Sequence, residues 1–378
     1  MSAYFDYLSG SPLDQRIIDA MLPVLEGAYG NPLSAHQVGR VAAKVLAQAR
    51  GTVAEFIGAD PDEIVFTSGG IEANNLAVKG ILTANESGQL LACAADPLSV
   101  LKSAEVLERW GFSTSLIPVD GNGSLNLFSV SKLLNRFTKL VSVGWVVAET
   151  GNIQPVEEVA EEARSAGVPF HCDASVAARF FPISVRDLGV DTLTLCSSYI
   201  GGPPAVGALY IKKGTRLIPQ MDGGVQEMGR RSGRENLAAI VGFARALELI
   251  RDEREERFLR LKQLDALLKR ELMRIKNLII HADLPSRAPG IVSCRIEGIE
   301  AEALLMMLDE SGVFASAGSA CATVGHKASH VLKAIGLTDE QAASALNFTL
   351  SWNTEEQEIE ELINVLEIAV EKLQAMNF

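Results

Sequence analysis

Cysteine is scarce in this sequence, and so are basic residues and long apolar runs. The five cysteines of the 378-residue chain are dispersed and form no Cys-x-x-Cys pair, which argues against a disulfide framework and a cysteine-based zinc site. Acidic residues outnumber basic ones, giving a formal net charge of −13. A nucleic-acid partner is therefore not expected, because phosphate-binding surfaces need clustered cations.

The sequence also lacks the marks of targeting to a membrane. Its first residues, MSAYFDYLSGSPL, have no charged segment followed by an apolar core, and no apolar run approaches membrane-spanning length. We therefore expect a cytoplasmic protein with no membrane partner. With 48% hydrophobic and 21% charged residues, the chain can bury a large core and form one large and one smaller domain. We expect these at 15–252 and at 1–14 with 253–378.

Strand-like and helical patterns alternate through the first two thirds of the chain. Glu63–Phe66 is typical of a strand, a helix follows from near Glu72, and the alternation continues to a helix ending at Ala166. This order predicts an α/β fold with a doubly wound, mainly parallel sheet. In such folds ligands bind at the carboxyl ends of the strands.

Two loops fall at that edge of the predicted sheet. Thr194–Tyr210 reads TLCSSYIGGPPAVGALY, in which glycines and prolines predict a tight, non-helical connection between two strands. The segment TSGGIEANN follows an earlier strand, and Gly69 and Gly70 would leave backbone amides free at a helix N-terminus, a natural phosphate cradle. A simple strand–helix turn that needs glycine explains the same motif equally well.

These loops resemble those of the cysteine desulfurases, the fold-type I, class V aminotransferase-like enzymes of iron–sulfur cluster assembly. The resemblance extends to GGVQEMGRRSG, similar to a dimer-interface segment of the family, and to SAGSAC, similar to the loop of its persulfide-forming cysteine. It covers nearly the whole chain. It implies a fold-type I PLP-transferase-like fold, with a large doubly wound sheet domain and a smaller α/β domain carrying the Cys321 loop, and a homodimer through Met221–Asn236.

The cofactor site of the family is altered in this sequence. Tyr199 stands where the resemblance places the lysine that binds pyridoxal phosphate (PLP), so we expect no covalently bound cofactor. Asp173 matches the carboxylate that pairs with the pyridine nitrogen, or else it caps a neighbouring loop. Gly69, Gly70 and Ser197 would be binding residues only if a PLP-like ligand or an anion occupies the pocket. Other family positions are changed in the same pocket: Ile71, Pro97, Ala148, Val176 and Asn347. Arg234 replaces a phosphate-contacting threonine and could bind an anion or form an interface salt bridge.

Cys321 is the functional residue that the resemblance leaves intact. Its small neighbours Gly318, Ser319 and Ala320 favour an accessible thiol, although a free cysteine can also be a small buried hydrophobe. A metal site of Cys321 with His326 and His330 is disfavoured without a further ligand.

Three functions remain open on the sequence. The first is a sulfur-handling protein in which Cys321 accepts sulfide or persulfide, or ligates an iron–sulfur cluster shared with a scaffold or sulfur-acceptor protein. The second is an active enzyme with non-covalent PLP, for which Lys212 and Lys213 are the nearest amines but lie beyond a strand. The third is a non-catalytic docking subunit.

Overall fold

The computed structural model describes residues 3–318 and 328–376, and these form an α/β protein with three sheets. The strands are β1 Ala3–Tyr4, β2 Ile64–Thr67, β3 Gln89–Cys93, β4 Ser113–Ile117, β5 Thr138–Gly144, β6 Phe170–Asp173, β7 Thr192–Cys196, β8 Gly207–Ile211, β9 Leu278–Ile280, β10 Ile291–Ile296, β11 Val313–Phe314 and β12 Ala345–Thr349. The helices are α1 Gln15–Gly27, α2 Gln37–Ile57, α3 Gly70–Thr83, α4 Leu98–Arg109, α5 Leu127–Leu133, α6 Val156–Ser165, α7 Val185–Leu188, α8 Leu237–Leu272, α9 Ala301–Glu310, α10 His330–Ala334, α11 Asp339–Ala343 and α12 Glu356–Met376.

The largest sheet has seven strands in the order β2-β8-β7-β6-β5-β3-β4. Every pairing is parallel except the two made by β8. The change of strand order on either side of β5 and β6 places the connecting helices on both faces, which confirms the expected doubly wound fold. β2, β6 and β8 are entirely buried, as expected when both faces of a sheet are covered, whereas the edge strand β4 is partly exposed.

Two smaller sheets lie outside this central one. β12, β10 and β9 form an antiparallel sheet, and β1 pairs with β11 in parallel. The helix α8, which begins at the cap residue Asn236, runs without a break past residue 252. The domain limits given above remain a prediction. Within the described residues, no helix is both long and apolar enough to cross a membrane.

The loop after β7 differs in one respect from the prediction. It was expected to contain no helix, but Ser198–Ile200 forms one turn of 3-10 helix. The turn ends at Gly201, whose φ of 76° is readily adopted only by glycine. A three-residue turn fits because the prolines come only after it, at 203 and 204.

Candidate functional site

The carboxyl ends of five parallel strands bring the candidate residues to one edge of the large sheet. β6 ends at Asp173, β7 at Cys196 and β2 at Thr67, just before the glycines that begin α3. Residues more than 100 positions apart in the chain therefore meet there, as expected for a doubly wound sheet.

Asp173 lies at this edge of the sheet, and each of its two carboxylate oxygens accepts a hydrogen bond from another residue of the chain. Its Oδ1 accepts from the backbone amide of Ser175 at 2.9 Å, and its Oδ2 accepts from Asn74 Nδ2 at 2.6 Å. Burial raises the pKa of Asp173, while these two hydrogen bonds oppose that rise. These hydrogen bonds agree with a structural role for Asp173, one of the two roles that the sequence left open.

A polar chain behind Asp173 fixes its position. Asn74 Oδ1 accepts from His171 Nε2 at 3.1 Å, and His171 Nδ1 accepts from the Thr192 hydroxyl at 3.1 Å. Burial lowers the pKa of His171 to about 4, so the ring is neutral at pH 7. A neutral ring with one N–H suits this chain, since it donates at one nitrogen and accepts at the other.

A second buried carboxyl, that of Asp96, lies nearby. Its oxygens accept backbone amides of Gly144, at 2.6 Å, and Cys93, at 3.1 Å, so it joins the ends of β5 and β3. Burial raises the pKa of Asp96 well above its usual value, and the charge of Asp173 raises it further. The two acids thus give this edge an acidic floor. His330 Nε2 donates to the Asp96 backbone carbonyl at 2.8 Å. Among the described residues, no group of His, Cys, Asp and Glu side chains could hold a metal ion.

The glycines at the start of α3 lie against β6 and β7. A Cβ on Gly70 would stand 3.1 Å from Cys196 Cβ and 3.3 Å from Ser175 Oγ, and one on Gly207 would be 2.8 Å from the Gly69 carbonyl carbon. Close approach to backbone atoms thus requires glycine at position 207, whereas position 70 is only tightly packed against side chains.

The Gly69 amide is not free as predicted, because it donates to Thr67 Oγ1 at 3.4 Å, and the Ser68 amide donates to Glu72 Oε2 at 2.7 Å. The Ser175 hydroxyl is buried and lies beside the Asp173 carboxylate. The helix N-terminus at Gly70, with the Ser175 hydroxyl and the Cys196 thiol beside it, could still hold a small anion.

Two other predicted site residues lie in the loop after β7. The Ser197 side chain is fully buried, and a Cβ on Gly202 would be 2.3 Å from its Oγ, so the hydroxyl faces Gly202. Tyr199 lies within the 3-10 turn and packs, partly buried, against the main core.

Glu149 marks the approach to the segment 319–327. Its Oε2 accepts from the Ser329 hydroxyl at 2.6 Å, and a Cβ on Gly318 would be 3.1 Å from its Oε1. Burial raises the pKa of Glu149 to about 7. Ser329, just after that segment, is thus held by a buried carboxyl, whereas Glu149 Oε1 has no hydrogen-bond partner among the described residues. Cys321 and His326 lie outside the described residues.

The remaining altered positions lie on different elements and differ in exposure. Ile71 is 68% exposed on the first turn of α3, whereas Val176 is buried. Asn347 is buried in β12, and its Oδ1 has no partner among the described residues. Arg234 Nη2 donates to the Tyr29 carbonyl at 2.6 Å.

Lys212 and Lys213 lie at the opposite end of the sheet from these residues. Because β8 runs antiparallel to β7, Gly207 pairs with Cys196 while Ile211 pairs with Thr192. Their ammonium groups form ion pairs with Asp191 and Asp60. Neither amine reaches the edge that holds Asp173, as the sequence predicted.

Sequence reasoning missed the groups that hold the site together, namely Asn74, His171, Asp96, Ser175 and Glu149. One signal was present: His171 and Asp173 are polar residues in an otherwise apolar strand, and such residues are buried only with partners. Their partners on α3 and β7 could not be identified from spacing alone.

Comparison with known proteins agrees with this architecture. The model of the family "Aminotransferase class-V" matches residues 3–362. "Cysteine desulfurase IscS 1" of Archaeoglobus fulgidus is 37% identical over 376 residues, covering 99% of this chain and 98% of that protein. "Cysteine desulfurase IscS" of Dictyoglomus turgidum is 36% identical over 377 residues, with 99% and 96% covered.

Solved structures give the same result. A "NIFS-LIKE PROTEIN" superposes with a TM-score of 0.92 at 30% identity, covering 98% of this chain and 100% of that one. A NifS-like protein from Rickettsia africae superposes with a TM-score of 0.90 at 28% identity over the same shares. With nearly complete coverage in sequence and structure, this chain belongs to the class V aminotransferase family and, within it, to the cysteine desulfurases.

Proposed function

We propose that this protein handles sulfur, or an iron–sulfur cluster, through Cys321 in iron–sulfur cluster or thio-cofactor assembly, without ordinary PLP catalysis. The observation that carries the proposal is Tyr199 in the 3-10 turn after β7, where the resemblance places the cofactor lysine. A phenol cannot form the imine that an amine forms with an aldehyde. The two nearest lysines in sequence are in ion pairs at the other end of β7.

The residues at the sheet edge fit PLP only in part. The helix N-terminus at Gly70 and the buried Ser175 hydroxyl suit a phosphate, and Asp173 lies at the strand end that would face a pyridine ring. The covalent attachment does not fit. The site therefore supports at most a non-covalently held aldehyde or another anion, and we assign no reaction step to it.

Sulfur transfer at Cys321 needs no cofactor when the donor is an organic persulfide. The Cys321 thiolate attacks the outer sulfur of the donor, the donor S–S bond breaks, and the donor leaves as a thiolate. The product is a Cys321 persulfide, and no external oxidant or reductant is consumed. A scaffold or acceptor protein would then receive this sulfur, or would share a cluster ligated by the same thiolate.

Borohydride trapping tests the loss of covalent cofactor chemistry. We expect the protein incubated with PLP and borohydride to carry no reduced adduct on a lysine, because Tyr199 lacks the amine. The Tyr199→Lys variant is expected to gain a stoichiometric adduct at position 199, read by peptide mass spectrometry. A Tyr199→Phe variant, which restores no amine, is the matched control. A stoichiometric adduct on any lysine of the unchanged protein would contradict the proposal and favour an active PLP enzyme.

We also propose a homodimer through the Met221–Asn236 segment and the large-domain helices. Val225 is 71% and Met228 is 49% exposed, and both adjoin Leu33, which is 55% exposed, across a shallow groove. Several large apolar side chains exposed together are typical of an interaction surface. Arg50 and Glu235 also line this groove and give it polar margins.

Val225→Asp is expected to convert the dimer to a monomer at micromolar concentration. A carboxylate buried at a dimer interface without a partner costs several kcal/mol, which raises the dissociation constant by about 100-fold or more. Light scattering measures the change. Ile368→Asp, which alters an exposed aliphatic residue on α12, is the control and should remain dimeric. A Val225→Asp protein with unchanged dimer mass would place the interface elsewhere.

A further inference from the structure

A cavity of about 210 Å³ lies next to the turn after β7, and Ile200 and Gly201 of that turn line it. It is enclosed by the N-terminal segment before α1, by α8, and by the turn that follows β12. Its walls include Arg179, Arg257 and Trp352. Asp173, Cys196 and the glycines that begin α3 do not line it.

Arg179 is the charged group of this cavity that forms no ion pair within the part of the chain that the structure describes. Its side chain is on a 3-10 turn after β6 and is only 5% exposed. One guanidinium nitrogen, Nη2, donates to the Leu350 carbonyl, whereas Nε has no partner among the described residues. Burial, and secondarily the charge of Arg257, lower the pKa of Arg179 to about 10, so it remains a cation at pH 7. Buried cations are normally paired with an anion.

The carboxylates of Glu253 and Asp14 already form ion pairs with other arginines. Arg257 donates from Nη2 and Nε to Glu253 Oε2, at 2.6 and 2.9 Å, and Glu253 also pairs with Arg16. Asp14, the other acid at the cavity, likewise pairs with Arg16. Three guanidinium groups thus face two carboxylates, and the unbalanced positive charge is the buried one, on Arg179.

Trp352 holds both guanidinium groups in place. The Arg257 guanidinium carbon lies 3.9 Å from the Trp352 ring centroid and that of Arg179 lies 4.9 Å from it. Contacts of this kind favour a fixed orientation of a cation on an aromatic ring. The result is a preorganised pair of donors, and a guanidinium fork matches the two oxygens of a carboxylate.

The size and lining of the cavity define the ligand further. Its volume corresponds to about seven water molecules at about 30 Å³ each. Leu13, Ile17 and Leu249 supply an apolar wall, and Ser11 and Ser351 supply hydroxyl groups. We propose that this cavity binds a small organic carboxylate, with its carboxyl group at Arg179 and a short aliphatic body on the apolar wall.

Calorimetric titration of the full-length protein with sodium butyrate at constant ionic strength tests this inference. We expect saturable binding of butyrate, weaker binding of acetate, and none of the neutral isostere butyramide. Arg179→Gln should weaken butyrate binding at least tenfold, since a charge-assisted hydrogen-bond pair is lost. Arg260→Gln changes a half-exposed arginine of the same helix as Arg257 that pairs with Glu356 outside the cavity, and it should bind as the unchanged protein does.

A second readout covers the case in which Arg179→Gln does not fold. Trp352 contacts both arginines, so butyrate should change the intrinsic fluorescence of the unchanged protein, and Trp352→Phe should remove that change. Absence of saturable butyrate binding would overturn the inference. So would equal binding by Arg179→Gln and Arg260→Gln, or tighter binding of sulfate than of butyrate, which would indicate a site for inorganic oxyanions. The result is distinguishable from that of the borohydride test, because one experiment measures butyrate binding at Arg179 and the other measures an adduct on a lysine.

Discussion

Replacing Cys321 with alanine is expected to abolish sulfur loading of this protein. In the unchanged protein, a brief exposure to glutathione persulfide followed by desalting should add one sulfur atom to the Cys321 peptide, read by mass spectrometry. Cys321→Ala should lose nearly all of this added sulfur, and reconstitution with iron and sulfide should leave no cluster on it. Its circular dichroism and its dimer mass should not change.

The other four cysteines explain why the expected effect is so large. Cys93, Cys172 and Cys294 are buried, and burial raises the pKa of each thiol. Because the thiolate is the nucleophile, these three should not react at neutral pH. Cys196 is half-buried at the sheet edge, where its Sγ lies 3.3 Å from Ser198 Oγ. It is the one competitor among the described cysteines.

Cys196→Ala is therefore the matched control for Cys321→Ala. It should keep its sulfur loading and cluster binding, and limited alkylation of the native protein should still label Cys321 first. Preferential labelling of Cys196 would contradict the proposed role of Cys321. Sulfur and cluster binding that persist in Cys321→Ala would leave a non-catalytic docking subunit as the better interpretation.

Arg50→Met is expected to lower the free energy of unfolding by about 3 to 5 kcal/mol, because it removes one partner of a buried ion pair. Arg50 Nη2 and Nη1 donate to the two oxygens of Glu227 at 2.6 and 2.7 Å, and Nη1 also donates to the Ile64 carbonyl. Glu227 is only 4% exposed and additionally accepts the Phe66 amide at 2.8 Å. Without Arg50 its charge would stay buried and almost uncompensated.

Urea unfolding at fixed protein concentration measures this loss, because the stability of a dimer depends on concentration. The control is Arg251→Met, which removes an exposed pair with Glu55 and should cost less than about 1 kcal/mol. Adding Glu227→Gln to Arg50→Met should recover part of the loss, since it removes the unpaired charge. A cost for Arg50→Met no larger than that of Arg251→Met would show that the pair is not a stabilising one.

The sequence by itself determined the local elements and the family. The strand near Glu63–Phe66, the strands on either side of the loop at 197–206, and the glycines that begin α3 all follow from spacing and from residues with special backbone preferences, which operate over a few neighbouring positions. Tyr199 and Cys321 are likewise read directly from the chain. Their chemical meaning comes from the resemblance and not from their geometry.

Only the tertiary structure decided which distant residues meet. Asp173 is held by Asn74, 99 positions away, and Arg50 by Glu227, 177 positions away. Neither pair leaves a periodic signal, because the strand order and the crossovers of the sheet bring them together. The cavity at Arg179 has the same origin: α8, the N-terminal segment and the turn after β12 enclose it. The packing of distant segments thus determines whether a buried charged group has a partner and how strongly that group is desolvated.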